Sequence, residues 1–217
     1  MESIIAPLTL SLRVAIFATI IAFIIGIFFS WWFAFKKNKL TKFLSIIVTI
    51  PLVIPPTVLG YYLILLLGRN SFLGKWMEAV AGGPIIFTWK AAVIAAMIAS
   101  LPLLISPIQA AFESINKDII GAAELDGASQ LKLLLHIIIP LSYKGVLAGL
   151  VLGFARAMGE FGATLMVAGN IPGKTQTLSI AIYDAVQANR MADAHLMVII
   201  LTSTTIFFLY IIHRWFK

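Results

Sequence analysis

The chain is expected to be an all-α polytopic membrane protein with five transmembrane helices, its N-terminus outside and its C-terminus cytoplasmic. Three observations lead there. Of 217 residues, 61% are hydrophobic and only 12% charged, a balance too apolar for an ordinary soluble domain. Apolar runs of roughly 20 residues recur, each long enough to cross a hydrocarbon core of ~30 Å. The basic residues behind the net charge of +7 gather in short segments between those runs, where membrane insertion leaves them. Basicity is therefore a matter of topology, and no nucleic-acid partner is implied. Cysteine is absent, which excludes a disulfide framework, a thiolate nucleophile and a Cys-type metal site.

The first span is expected at about residues 14–35, just after Arg13. Glu2 stands where a signal peptide would be basic, and the apolar run is too long for one, so the helix is expected to be retained. Trp31 and Trp32 suit an interfacial belt near its far end. Lys36, Lys37, Lys39 and Lys42 follow within seven residues, the densest basic cluster in the chain. By the positive-inside rule that turn is cytoplasmic, which puts the N-terminus outside. Arg69, Lys75, Lys90, Lys174 and Arg190 fall on the predicted outer side, against the rule.

The second span, about 43–67, contains Pro51, Pro55 and Pro56, with Thr57 next. Proline removes an N–H and clashes with the preceding turn, so this helix must be kinked or interrupted. In a membrane that is tolerated only where protein or a wet cavity satisfies the freed carbonyls, and transporters line their pathway with such helices. A plain packing kink is the alternative. Residues 68–84 read as an external loop, with Trp76 and Glu78 on a short interfacial helix. The third span, about 85–111, carries Pro102 and Pro107 near its inner end, beside Ser100 and Ser106.

A polar cytoplasmic interruption follows, expected as two short helices over about 117–136 that meet at Gly127, with Asn116 or Asp118 as N-cap. Glycine suits the corner because it reaches φ > 0 without Cβ strain and lets another surface approach. The apolar row Leu131, Leu133, Leu134 and Leu135 lies outside the bilayer, so its face is expected to be buried in a partner protein.

The fourth span, about 137–161, sets Gly145, Gly149, Gly153 and Ala157 four residues apart, one smooth strip for close helix packing or for a subunit–subunit contact. Arg156 and Glu160 share a helix face at that spacing and can neutralise each other, either as a structural pair or as a pair beside the pathway or at a subunit contact; Gly162 follows. The stretch 178–186 is amphipathic but too short to span, and reads as external or re-entrant. The last span, about 194–212, ends in His213, Arg214 and Lys217, a basic cytoplasmic end.

Gly169-Asn-Ile-Pro-Gly173-Lys174-Thr175 imitates a phosphate-binding loop, but has three residues between its glycines where four are needed and follows a membrane helix. His136, His195 and His213 have no metal-ligand spacing, and no nucleophile, base and acid stand together. No catalytic, cofactor or metal residue is assigned. If ATP drives this protein, another chain binds it.

The interruption resembles the cytoplasmic loop of ABC-importer membrane subunits: Glu-Ala-Ala, three residues, Gly, nine residues, Ile-x-Leu-Pro. Gly121-Ala122-Ala123, Gly127 and Ile137-Ile138-Ile139-Pro140 keep that spacing, with Gly121 in place of the Glu and Ile139 in place of the Leu. Pro51-Leu-Val-Ile-Pro55-Pro56-Thr57-Val-Leu-Gly60-Tyr61-Tyr62 is similar to the second-span signature of molybdate permeases. So are Phe154-Ala-Arg156-Ala-Met-Gly159-Glu160-Phe161-Gly162-Ala163-Thr164 and Asn170-Ile171-Pro172-Gly173.

The resemblance implies a type I ABC-importer permease in a prokaryotic inner membrane, one transmembrane domain over 1–217. It implies a second copy of the chain, two ATP-binding cassette subunits that hold ATP and magnesium, an extracytoplasmic molybdate-binding protein, and surrounding lipid. It makes Ala122, Ala123, Glu124, Asp126, Gly127, Ala128 and Leu131 the residues that couple to the ATPase. Tungstate or sulfate is the alternative cargo. A stand-alone ion-coupled carrier is the other class, and would be expected to show paired acids inside spans and an internal repeat.

Overall fold

The computed structural model describes residues 2–215; Lys217, assigned to the basic C-terminal end, lies outside the described residues. Every regular element among them is helical. Among the described residues three helices are long and apolar enough to cross a membrane, or five if each of two bent helix pairs counts as one span.

The centre is α5 (Trp89–Glu113), with α1 (Glu2–Phe35) against one side and α9 (Tyr143–Met158) against another. Helix α1 starts well before residue 14 and accommodates Pro7. Small residues set its approach to α5. Ala15, Ala18 and Ala22 repeat at helical spacing on α1, Ala92, Ala95, Ala96 and Ala99 do so on α5, and all are fully buried. With no hydrophobic drive between helices in lipid, such close backbone approach supplies the van der Waals contact that holds them.

The glycine strip of α9 serves the same helix. A Cβ on Gly145 would run into Ala111 and stand 2.9 Å from the Pro107 carbonyl oxygen. One on Gly149 would stand 2.5 Å from the Leu104 carbonyl oxygen, and one on Gly153 3.1 Å from Leu104 Cδ1. These glycines therefore pack within the subunit.

Among the described residues three buried clusters result; α5 passes through two of them, and the third joins Ile4 of α1 with Leu178, Ala181, Ala185, Ala194 and Met197. The first gathers Val14, Leu59, Leu63, Ala95, Phe154 and Val167, and the second gathers Phe33, Leu104, Ile108, Phe112, Leu133 and Ile138.

The stretch expected as the second span divides into α2 (Lys39–Val53) and α3 (Pro56–Leu67), bent by 120°. The fourth is also divided. A helical run α7 (Gln130–Leu133), a π turn (Leu134–Ile138) and α8 (Ile139–Leu141) bends by 83° into α9. Pro140 has no N–H to give the usual ladder, and the wider π register, with Ile139 N–H on the Leu134 carbonyl, carries the chain past it. At the bend Ser142 Oγ donates to the Ala111 carbonyl at 3.2 Å and ties the start of α9 to the inner end of α5.

Helix α4 (Phe72–Ala81) occupies the loop between α3 and α5, and α6 (Lys117–Leu125) follows α5. Short α10 (Gly162–Ala168) packs on α3 and α5, and α11 (Leu178–Gln187) packs on α12 (Met191–Trp215) and α1. Among the described side chains of α12 only Ala194 and Met197 are buried.

Gly149→Leu is expected to force α9 off α5 and lower stability by about 1–3 kcal/mol, the usual cost of overpacking. Gly159→Ala, whose Cβ meets nothing nearer than 3.6 Å, should change little. Thermal unfolding of the two detergent-purified variants distinguishes them.

Candidate functional site

Two groups of residues stand out, one on each of the two buried clusters that α5 passes through. The first is the corner between α6 and α7. Asn116 caps α6, its Oδ1 accepting from Asp118 N–H at 2.9 Å. At the other end the helix closes in a complete Schellman motif: Gly127 N–H donates to the Glu124 carbonyl and Ala128 N–H to the Ala123 carbonyl, both at 3.0 Å. Gly127 has φ of 81°, in the left-handed region that a side chain would strain, and nothing lies within 4 Å of where its Cβ would be. Glycine is thus required here by backbone conformation, and the space beside it is open. Ser129 then caps α7, its Oγ accepting from Lys132 N–H at 3.4 Å.

A side-chain bond that sequence reasoning missed crosses the corner, Gln130 Nε2 donating to Glu124 Oε1 at 3.2 Å. Only the structure reveals it, because the partners lie on different helices. The inner side of the corner is anchored: Ile120 and Ala123 pack with Leu133 and Ile138. The outer side is not. Helix α6 buries no residue fully, Leu125 is 91% exposed and Leu131 65%. Ala122, Asp126 and Gly127 are exposed too. The arrangement is a stiff, apolar-tipped knob with its own backbone satisfied.

The second group surrounds the helix break. Pro51 lies inside α2, Ile54 ends it with N–H on the Ile50 carbonyl, and Pro55 and Pro56 open α3. Pro55, Pro56 and Thr57 are exposed on one side. On the other, α10 comes very close, because a Cβ on Gly162 would stand 2.9 Å from Pro56 Cβ and one on Gly60 2.5 Å from Met166 Cβ.

Glu160 holds this crossing. Helix α9 ends at Met158, so Glu160 stands beyond it in the elbow to α10, and the expectation of one shared helix face with Arg156 is corrected. The ion pair forms all the same, Arg156 Nη1 lying 2.7 Å from Glu160 Oε2. Glu160 Oε1 accepts from Ala163 N–H at 2.8 Å and so caps α10. With Glu160 only 3% exposed, a lone carboxylate there would be costly, and the guanidinium offsets part of that cost. Gly162 meets Pro56 and Thr57, and Arg156 and Glu160 join it through the Ala163 N–H, whereas Gly145, Gly149 and Gly153 face α5.

The imitation phosphate loop folds as a turn. The Ile171 carbonyl accepts from the N–H groups of Lys174, Thr175 and Gln176, and Thr175 Oγ1 donates to the Gly169 carbonyl. No group of three or more His, Asp or Glu side chains suited to a metal occurs among the described residues.

Residues 22–217 match the family of binding-protein-dependent transport system inner membrane components. YvgM of Bacillus subtilis (strain 168) is 44% identical over 93% of this chain and 90% of its own. The molybdenum transport system permease protein ModB of Haemophilus influenzae is 40% identical over 84% of this chain and 80% of its own, and ModB of Escherichia coli (strain K12) is 37% identical over 82% and 78%. A structure of the MetNI methionine ABC transporter in inward-facing conformations aligns with a TM-score of 0.60 at 15% identity, covering 97% of this chain and 94% of that one, which shows a common fold. On its matched length, its relatives and its helical architecture, the chain belongs to the inner membrane components of binding-protein-dependent transport systems.

Proposed function

We propose that this chain is the membrane-spanning subunit of an ATP-driven molybdate importer, a homodimer that forms the translocation pathway and is driven through the α6–α7 corner. The observation that carries the reading is that corner. It is a rigid apolar projection with Leu125 and Leu131 bare, and no part of the described chain covers it. A groove on each of two ATPase subunits, which hold ATP and magnesium, would receive it. Molybdate as cargo is supported by the ModB relatives, which are described as molybdenum transport system permease proteins. An external molybdate-binding protein would deliver it to the outer mouth.

The lysine-rich turn supports the orientation. It follows Phe33 and Ala34 of α1, which share a buried cluster with Phe112 at the end of α5, beside the corner. Basic turn and coupling corner thus lie at the same end of the bundle, the cytoplasmic end by the positive-inside rule. The broken helix, with Pro55, Pro56 and Thr57 exposed, is the part of this chain best placed to line a pathway. ATP can drive the cycle only by binding two states of the assembly with different affinity, and the corner transmits that difference.

Native mass spectrometry after mild-detergent purification from the source membrane should show two copies of this chain with two copies of an ATPase. A lone chain, or a simple homo-oligomer in several detergents, would overturn the importer reading. Gly127→Asp should leave the protein in the membrane and lower ATP-dependent molybdate uptake by roughly tenfold or more, the scale of losing a central interface residue. Unchanged uptake with normal assembly would remove the corner from the mechanism.

A further inference from the structure

Helix α1 sets Arg13, Phe17 and Ile21 four residues apart on one face, and all three are exposed. Arg13 is engaged in one way only. Its guanidinium lies over the Trp89 ring, 3.9 Å from the centroid, and among the described residues it has no hydrogen bond or ion pair. Stacking uses the flat face of a guanidinium, whereas its N–H donors point out along the edge. That edge is free to hold a phosphate. Phe17 meets the same indole, with ring centroids 5.9 Å apart.

Next to Arg13 those two aromatic rings wall a crevice of about 330 Å³. Phe17 and Ile21 of α1, Trp89 and Val93 of α5, and Trp76 and Val80 of α4 form its sides. Lys90 also lines it and is already engaged within the protein. Phe17 lies about 6 Å further along α1 than Arg13, and Ile21 about 12 Å further, both inside the apolar run. Trp76 and Trp89 are of the residue type that settles at the membrane–water interface. The crevice therefore opens at headgroup level and runs into the hydrocarbon.

Size and chemistry select the occupant. Apolar walls offer water no partners, so the crevice does not hold water well. One turn of a helix ~10 Å wide with a pitch of 5.4 Å fills about 420 Å³, more than the space available. Roughly eleven water-sized groups such as methylenes, at about 30 Å³ each, match it. That is the volume of much of one acyl chain. Helix α4 packs on α3 and reaches the first buried cluster through Met77, so a chain in the crevice fills the gap between α4 and the bundle.

We propose that this place between α1, α4 and α5 binds one anionic phospholipid, its phosphate on the free edge of the Arg13 guanidinium and one acyl chain in the crevice beside Phe17 and Ile21. The lipid supplies the counter-charge that Arg13 lacks. A zwitterionic phospholipid brings its own cation beside the phosphate and is held less well. The inference rests on membrane residence alone and does not depend on which solute is carried.

The test uses the assembled transporter in phosphatidylcholine vesicles with trace phosphatidylglycerol, or trace phosphatidylcholine, carrying a photoactivatable diazirine in one acyl chain. After illumination the labelled residues are read by peptide mass spectrometry. Label from phosphatidylglycerol should concentrate on the crevice walls and exceed that from phosphatidylcholine there. Arg13→Gln should lower the phosphatidylglycerol label about fivefold, the worth of one basic side chain at an anionic membrane surface. Lys75→Gln, on α4 but outside the crevice, should leave it unchanged. Ile21→Trp, at an exposed position that accommodates a larger ring, should lower the label from both lipids by filling the crevice. Four outcomes would overturn the site: label spread evenly over the lipid-facing helices, a phosphatidylglycerol label that survives Arg13→Gln, a label unmoved by Ile21→Trp, or labelling of the crevice only after the assembly is dissociated into single chains. The last would mean that another subunit covers the crevice.

Discussion

Everything else in the subunit is hung on the contact between the glycine strip of α9 and the backbone of α5. Gly149 places α9 against the Leu104 carbonyl and Ile108, and Gly145 places it against Ala111 and Pro107. In lipid no hydrophobic effect drives helices together, so contact this close is the main cohesive term available. The alanine row of α1 meets another side of the same helix. Because α5 passes through two of the three buried clusters, a shift of α9 along it is felt at both ends of that helix.

That arrangement gives α9 a mechanical role. Its first residue follows Ser142, which is fixed to the Ala111 carbonyl next to the α6–α7 corner. Its last turn carries Arg156, which reaches Glu160 and through it the start of α10, where Gly162 touches Pro56 at the helix break. A 16-residue helix with a rise of 1.5 Å per residue is about 24 Å long. One unbroken rod therefore joins the neighbourhood of the corner to the neighbourhood of the break. At the corner the backbone closes on itself, so the knob can take load without first losing hydrogen bonds to water or lipid.

Much of this was legible in the residues, and the remainder was not for identifiable reasons. The break at Pro55 and Pro56 could be placed because proline removes a donor wherever it occurs, but the 120° angle depends on α10 seating Gly162 on Pro56. The bend at Ser142 carries no breaker of its own. The π turn has already carried the chain past Pro140, and Ser142 ties the bend to α5. Spacing announced the Arg156–Glu160 pair but not that Gly159 ends the helix between them. The glycine strip was visible as a strip, yet its partner could not be named until α5 was seen to present Leu104 and Ala111 to it. The chemistry of the corner was the most legible of all, because Gly127 is dictated by local backbone geometry rather than by distant packing.

The two adjacent prolines at the α2–α3 break also limit what movement is available there. Residues that precede proline avoid the α region, so Ile54 and Pro55 stay extended, with ψ near 147° and 138°. Straightening into one continuous helix would need both to abandon that region and would leave two ladder donors missing. The interruption is thus permanent, while its angle is set by the seat of α10 on Pro56. Any valve made from it turns as a piece, by swivelling α3 with α10, and never by melting and rewinding.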